Sequence, residues 1–292
     1  MSYIGIHLDD VNYTSVMDAL HKTKRLNANV LQIYMGDKIL TTLRKKYTFT
    51  KDEINEIKAF IKNNKIKLVI HAILLLNYCR DPNSERNKWG LDNLIYDMNI
   101  CYKLSGIGVV IHMGSHKTPK INITYDECVK NFVKSLIFVL NNTKKIPIML
   151  ETPVNRENMV GGTTEGLAKV YNAIPTEYKK RIKICIDTQH IFASGYNIST
   201  GQGIIDYFNN FDKLIGVKKI GVIHLNDSEK ELNSKINRHA PIGKGFIFAD
   251  KKSYSLQYII NFISKHSIPL LLETKYENYN YEVKYLKSLV PK

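Results

Sequence analysis

The chain has 292 residues, 44% hydrophobic and 24% charged. This is ordinary globular composition, and it excludes collagen-like, mucin-like and wholly disordered classes. That length can bury a core large enough to fold without disulfides or a structural metal. Lys and Arg total 42 against 27 Asp and Glu, a net charge of +15. The excess suits a polyanionic partner such as nucleic acid, although a chain this rich in Lys, Asn, Ile and Tyr would also arise from an A+T-rich coding sequence. Cys79, Cys101, Cys128 and Cys185 show no C-x-x-C spacing and read as buried, reduced thiols of an intracellular protein. Met1 to Asp10 lacks the basic and apolar regions of a signal peptide. The longest apolar stretch, Leu68 to Leu76, is interrupted by His71 and is too short to span a bilayer. No membrane association is expected.

In chain order, eight short runs rich in β-branched residues predict strands: Tyr3–Leu8, Val30–Met35, Lys67–Ile73, Gly108–Gly114, Pro147–Pro153, Ile182–His190, Ile220–Asp227 and Pro269–Lys275. Helical periodicity lies between them. Asp52–Asn63 places Ile54, Ile57, Phe60 and Ile61 on one face, and Tyr125–Asn141 and Lys252–Lys265 read likewise. Near-continuous apolar strands alternating with helices predict a buried parallel sheet. Eight such units in this length predict an α/β fold, the (β/α)8 TIM barrel, as a single domain over residues 1–292, with its active site at the C-terminal ends of the strands. An open doubly wound sheet is the alternative. No G-x-G-x-x-G or G-x-x-x-x-G-K-[ST] follows any run, so its phosphate-loop versions lack support.

Ionisable residues fall at the ends of six consecutive runs. His71 is near the end of the third. His112 ends the fourth, Glu151 the fifth, Asp187 and His190 the sixth, His224 the seventh and Glu273 the eighth. His239 lies on the long segment after the seventh run and can fold back over that face. One such residue is ordinarily a solvated or hydrogen-bonded rim group. Six strands ending this way would put unpaired charge in a partly buried cup, and such charge is rarely tolerated without partners. A divalent metal supplies the partner, and mixed imidazole and carboxylate ligation favours zinc, with manganese or iron as alternatives. There are more ligands than one ion needs. Two-metal sites hydrolyse phosphodiesters by in-line displacement.

These motifs resemble the endonuclease IV family of zinc-dependent apurinic/apyrimidinic endonucleases. The likeness runs from YIGIHL to LLLETK. CIDTQH followed by FASGY, IHLNDS, RH and LLET occur in the family's order, and VIHMGSH resembles its H-P-G-S-H element with Met113 in place of proline. The resemblance implies a TIM barrel holding three zinc ions. It also implies cleavage of duplex DNA on the 5′ side of abasic sites, leaving a 3′-hydroxyl and a 5′-deoxyribose phosphate, with removal of 3′ blocking groups. His71, His112 and Glu151 would bind one zinc. Glu151, Asp187, His224 and Glu273 would bind a second, with Glu151 bridging. His190 and His239 would bind the third. Glu273 and Glu151 are the candidate catalytic residues, Glu273 to orient or deprotonate the attacking water. Leu74, Leu75, Ser115, His116, Arg238 and Lys244 are the candidate DNA contacts, and a monomer is expected.

Three positions depart from the family pattern. Asn237 replaces the aspartate that ligates the third zinc, so that ion is expected to be held weakly unless Asp227 or Asp250 supplies the charge. Asn237→Asp is then expected to raise zinc retention. Leu74 replaces a tyrosine used as a minor-groove wedge, a task apolar side chains also perform. Lys244 stands where the family has an acidic residue. Two other readings compete. One is a metal-dependent sugar isomerase or epimerase of the related barrel superfamily. The other is a catalytically weak abasic-DNA-binding protein that has lost its third metal.

Overall fold

The structure is a computed structural model that describes residues 2–36, 47–74, 76–249 and 254–291. Eight parallel strands close into a barrel in sequential order: β1 (Ile4–Leu8), β2 (Val30–Tyr34), β3 (Lys67–His71), β4 (Gly108–Ile111), β5 (Ile148–Glu151), β6 (Ile182–Asp187), β7 (Ile220–His224) and β8 (Leu270–Leu272). β8 returns to β1 with Ile4 opposite Leu270 and Ile6 opposite Leu272. One long helix follows each strand: α1 (Val16–Arg25), α2 (Lys51–Asn63), α3 (Glu85–Lys103), α4 (Tyr125–Asn141), α5 (Thr164–Ala173), α6 (Gly201–Leu214), α7 (Tyr254–His266) and α8 (Tyr279–Ser288). Among the described residues, no helix is long and apolar enough to cross a membrane.

The helices begin where the sequence offers caps. Thr50 and Glu53 form a capping box at α2, which starts at Lys51, one residue before the periodic segment. Thr124 caps α4 through Glu127 N, and Thr200 caps α6 through Gly203 N. α7 is described from Tyr254, so the first two residues of its expected segment lie outside the described region.

The strands are shorter than the runs that predict them, and the reason bears on the site. Every run after the first continues past its last ladder pair, and from the third onward it enters the loop that carries the chemistry. β4 stops at Ile111, before His112, and β8 stops at Leu272, before Glu273. The sixth run is the clearest correction. β6 ends at Asp187, and His190 lies in the short helix Thr188–Ala193. Asp187 caps that helix by accepting from the His190 backbone N–H at 2.9 Å.

Two apolar layers hold the barrel. The larger packs helices against the outer faces of the strands. The smaller fills the lumen with Val30, Val69, Val110, Met149, Cys185, Val222 and Leu271, one from each of seven strands. Gly5 takes the corresponding place on β1, opposite both Val30 and Leu271. A Cβ there would sit 2.0 Å from the Val30 carbonyl oxygen, so only glycine fits.

Candidate metal centre

Side chains two residues apart on a strand share a face. Two residues above the apolar lumen layer, every strand therefore presents one polar side chain in the same direction. The eight are His7, Gln32, His71, His112, Glu151, Asp187, His224 and Glu273. They crown the lumen at the C-terminal end of the barrel, where such folds place their active sites. His190 joins from the short helix after β6. His239 joins from a hairpin in which His239–Ala240 pairs antiparallel with Asp227–Ser228. A cavity of about 700 Å³ opens above them.

Within this crown, donor atoms gather into three sets, each with all members within 4.8 Å of one another. They are His71, His112 and Glu151; Glu151, Asp187, His224 and Glu273; and Asp187, His190 and His239. Glu151 and Asp187 each belong to two sets. Glu151 Oε2 lies 3.1 Å from His71 Nε2 and 3.0 Å from His112 Nε2, while its Oε1 lies 3.4 Å from His224 Nδ1. Asp187 Oδ2 lies 3.7 Å from His239 Nε2.

Hydrogen bonds fix which ring nitrogen of His71, His190 and His224 is bare. His71 Nδ1 donates to the Ala72 carbonyl at 2.7 Å, and His190 Nδ1 donates to the Thr152 carbonyl at 2.9 Å. His224 Nε2 donates to Gln32 Oε1 at 3.0 Å. The remaining lone pairs of His71 and His224 point at the carboxylates. Among the described residues, the buried His190 Nε2, His224 Nδ1 and His239 Nε2 have no hydrogen-bond partner. Bare imidazole nitrogens gathered with buried carboxylate oxygens, with the rings of His71, His190 and His224 held by an acceptor on the far side, are the arrangement of metal-binding histidines. The donor set fits divalent metal.

The electrostatics agree. Burial pushes the Glu151 carboxyl up, but the His112 and His224 imidazoles outweigh it and hold it well below the usual carboxylate range. Burial acts likewise on Glu273, and His224 and His7 overcome it. Both residues are anionic. Burial drives His71 down despite Glu151, so its lone pair is free. On His112 and His224 burial also pushes down, but the surrounding carboxylates, with Cys185 at His224, lift both above the ordinary imidazole value. Protons and a metal ion thus compete for the same nitrogens.

A family model described as a xylose isomerase-like TIM barrel matches residues 20–287. Two similar proteins both carry the name endonuclease 4 provisionally. One, from Acanthamoeba polyphaga mimivirus, is 34% identical over 265 residues, covering 89% of this chain and 81% of that protein. The other, from Acholeplasma laidlawii, is 30% identical over 298 residues, covering 99% and 95%. The chain belongs to the endonuclease IV family. The crystal structure of endonuclease IV from Thermus thermophilus superposes with a TM-score of 0.80 at 21% identity, over 98% of both chains, which shows the shared fold.

Against the endonuclease IV pattern, the third set adds a residue that sequence reasoning did not assign to it. That reasoning expects His190 and His239 to lack a carboxylate because Asn237 stands in for one. Asn237 does line the cavity, but Asp187 shares a donor set with both histidines and lies 3.7 Å from His239 Nε2. Asp227 is not available as a substitute. Its buried carboxylate accepts five backbone N–H bonds, from Ser228, Gly243, Gly245, Ile247 and Phe248. Asp250 lies outside the described residues.

The candidate DNA contacts divide. Leu74 borders the main cavity and a second one of about 390 Å³, also lined by Arg80, Arg86 and Lys120. Leu75 lies outside the described residues. Arg238 and Lys244 are exposed near the rim. Ser115 and His116 are buried. Ser115 is tied to Asn77 through its backbone carbonyl at 2.9 Å, and both His116 ring nitrogens face carbonyls, of Ile123 and Glu157, at 3.2 Å. Ser115 also lines the second cavity beside Leu74 and Arg80, while His116 braces the loop.

Sequence reasoning missed His7, Gln32 and Asn226. Asn226 Nδ2 donates to Asp187 Oδ2 at 2.8 Å and to Glu273 Oε2 at 3.2 Å, so it spaces two carboxylates. The available signal for His7 and Gln32 is period two. Each is the polar residue that follows an inward lumen position within an apolar run.

Proposed function

We propose that the protein is an apurinic/apyrimidinic endonuclease. It hydrolyses the phosphodiester 5′ to an abasic site in duplex DNA and leaves a 3′-hydroxyl and a 5′-deoxyribose phosphate. It also removes blocking groups from 3′ ends. The observation that carries the reading is the set of three ligand clusters joined through Glu151 and Asp187. The resident metal is zinc, three ions per chain, because imidazole nitrogen makes up half or more of the donors in two of the clusters. When bound, the ions polarise the phosphodiester, activate water and stabilise the departing oxygen.

The chain's own residues supply the rest. His71, His112 and Glu151 hold one ion. Glu151, Asp187, His224 and Glu273 hold the second. Asp187, His190 and His239 hold the third, with Asn237 beside them. Glu273 is 13% exposed at its side chain, against 2% for Glu151. It is therefore the carboxylate that meets a substrate, and its Oε atoms orient the attacking water and take its proton. Glu151 keeps the first two clusters in register. The net charge of +15 draws the duplex in, and Arg80, Arg86, Lys120, Arg238 and Lys244 border its path. An abasic nucleotide has no base to unstack, so turning it into the cavity costs little, and Leu74 fills the gap left behind.

The test is nicking of a duplex carrying one abasic site in magnesium-free buffer. Activity should persist there and be lost after prolonged treatment with a zinc chelator. An absolute requirement for added magnesium would contradict the reading.

A further inference from the structure

Two members of the eight-residue polar crown, His7 and Gln32, belong to none of the ligand clusters. Both are buried, at 7% and 0% exposure, and both contact the same carboxylate. His7 Nδ1 lies 2.9 Å from Glu273 Oε1, and Gln32 Nε2 lies 2.9 Å from that oxygen. The hydrogen positions follow from the network. Gln32 Oε1 accepts from His224 Nε2, so the Gln32 amide group turns its NH2 toward Glu273. Two lone pairs facing each other at 2.9 Å would repel. Gln32 Nε2 also lies 2.9 Å from His7 Nδ1, but the charge on Glu273 makes Oε1 the stronger acceptor for both neighbours, so His7 Nδ1 carries the hydrogen and donates to Oε1.

A second connection sets the distance between the strands that bear these groups. Tyr279 donates from its hydroxyl to the His7 carbonyl at 2.5 Å and also reaches the Leu272 carbonyl at 3.3 Å. One phenol thus pins the end of β1, with His7, to the end of β8, next to Glu273. Oε1 receives His7 and Gln32. Oε2 receives Asn226 and faces His224 Nδ1 at 3.2 Å. The carboxylate plane is held from both edges.

We propose that His7 is a positioning residue for the reaction. Its Nδ1–H, with the Gln32 amide, fixes the rotamer and plane of Glu273 so that Oε2 faces the metal cluster and the water. This inference rests on the endonuclease reading above. Residues that orient a metal ligand through one hydrogen bond are typically worth about 10–100-fold in activity or metal affinity.

The experiment is a double-mutant cycle on the zinc-loaded full chain, read as kcat and KM on abasic duplex and as zinc per chain by elemental analysis. His7→Leu keeps the volume and removes the donor. It should lower kcat about 10–100-fold, with KM and zinc content within about twofold of the parent. His7→Asn places an amide N–H close to the position of Nδ1 and should recover most of that loss. In a Glu273→Gln background, His7→Leu should add less than about twofold, because it acts through a carboxylate that is already gone. His7→Ala carries the same test should the leucine fail to fold.

Full loss in the Glu273→Gln background would overturn the proposal. So would an asparagine variant as poor as leucine. A parent that leaves abasic DNA intact overturns the endonuclease reading and this inference with it. A parent that cleaves while His7→Leu cleaves equally well overturns this inference alone.

Discussion

Asp187 Oδ2 lies 3.7 Å from His239 Nε2, joining the end of β6 to a hairpin that folds back over the barrel mouth. Through this approach one buried carboxylate serves two ligand clusters. It puts a negative charge beside His239, where Asn237 brings none.

The first prediction follows from it. Asp187→Asn should lose at least one zinc per chain on dialysis and lower turnover more than 100-fold, on the order expected for a direct ligand with a bridging charge. Asn237→Asp, expected from sequence to tighten the third ion, should now change zinc retention by less than about twofold, since a carboxylate is already in place. Elemental analysis after graded chelation measures both. A large gain from Asn237→Asp together with an indifferent Asp187→Asn would show that Asn237 is the deciding ligand position.

Glu273→Gln keeps the shape of the side chain and removes its charge. Turnover should fall about 10²–10⁴-fold, the usual range for a positioned base. Binding to abasic duplex should be mostly retained, since phosphate contacts elsewhere hold the DNA. Single-turnover rates and a binding titration on the same substrate separate the two effects. Cleavage within a few-fold of the parent would show that Glu273 has no part in the chemical step.

Zinc loading should release protons at pH 7. In the protein alone, the carboxylates around His112 and His224 raise both imidazoles above the ordinary value of 6.5, His224 strongly so. Below those raised values the nitrogens carry protons that an incoming ion must displace, so zinc affinity falls as pH drops through and below neutrality. Glu151 and Glu273, held well below 4.5, contribute no protons in this window. Calorimetric titration of metal-stripped protein in two buffers of different ionisation enthalpy reads the number released. Identical heats in both buffers would mean that His112 and His224 are already neutral.

Gly5→Ala tests the closure of the barrel. The added Cβ would fall 2.0 Å from the Val30 carbonyl oxygen and 2.4 Å from its Cβ, on the neighbouring strand. Both contacts are far inside van der Waals distance and neither partner can swing away. Overpacking of this kind costs about 1–3 kcal/mol, read as a lower urea midpoint at unchanged slope. An unchanged midpoint would show that β1 and β2 can part at little cost.

Much of this architecture is legible in the residues themselves. Six of the apolar runs end at or near an ionisable group because a lumen position and the site residue above it are two apart along the chain. Val69 and His71, Met149 and Glu151, and Val222 and His224 are such pairs. Gln32 and His7 obey the same spacing but lie inside their runs, where a lone polar residue reads as an interruption. Asp187 reads as an ordinary strand-end ligand. Its reach to His239, 52 positions further along the chain, depends on a hairpin that short-range patterning does not encode. The same limit applies to Asp227. A carboxylate beside HLN reads as a candidate metal ligand until the segment after Pro241 is seen to wrap four backbone N–H groups around it, with Ser228 N–H as a fifth.

The central claim is hydrolysis of the phosphodiester 5′ to an abasic site, and the chemistry of the new 3′ end tests it most directly. The protein is incubated with duplex DNA carrying one abasic site in magnesium-free buffer. The nicked product is then purified and offered to a DNA polymerase. The account predicts a 3′-hydroxyl that the polymerase extends without further processing, with the deoxyribose phosphate left on the downstream strand. A nick on the 3′ side of the lesion, or a 3′ end that cannot be extended, would contradict it.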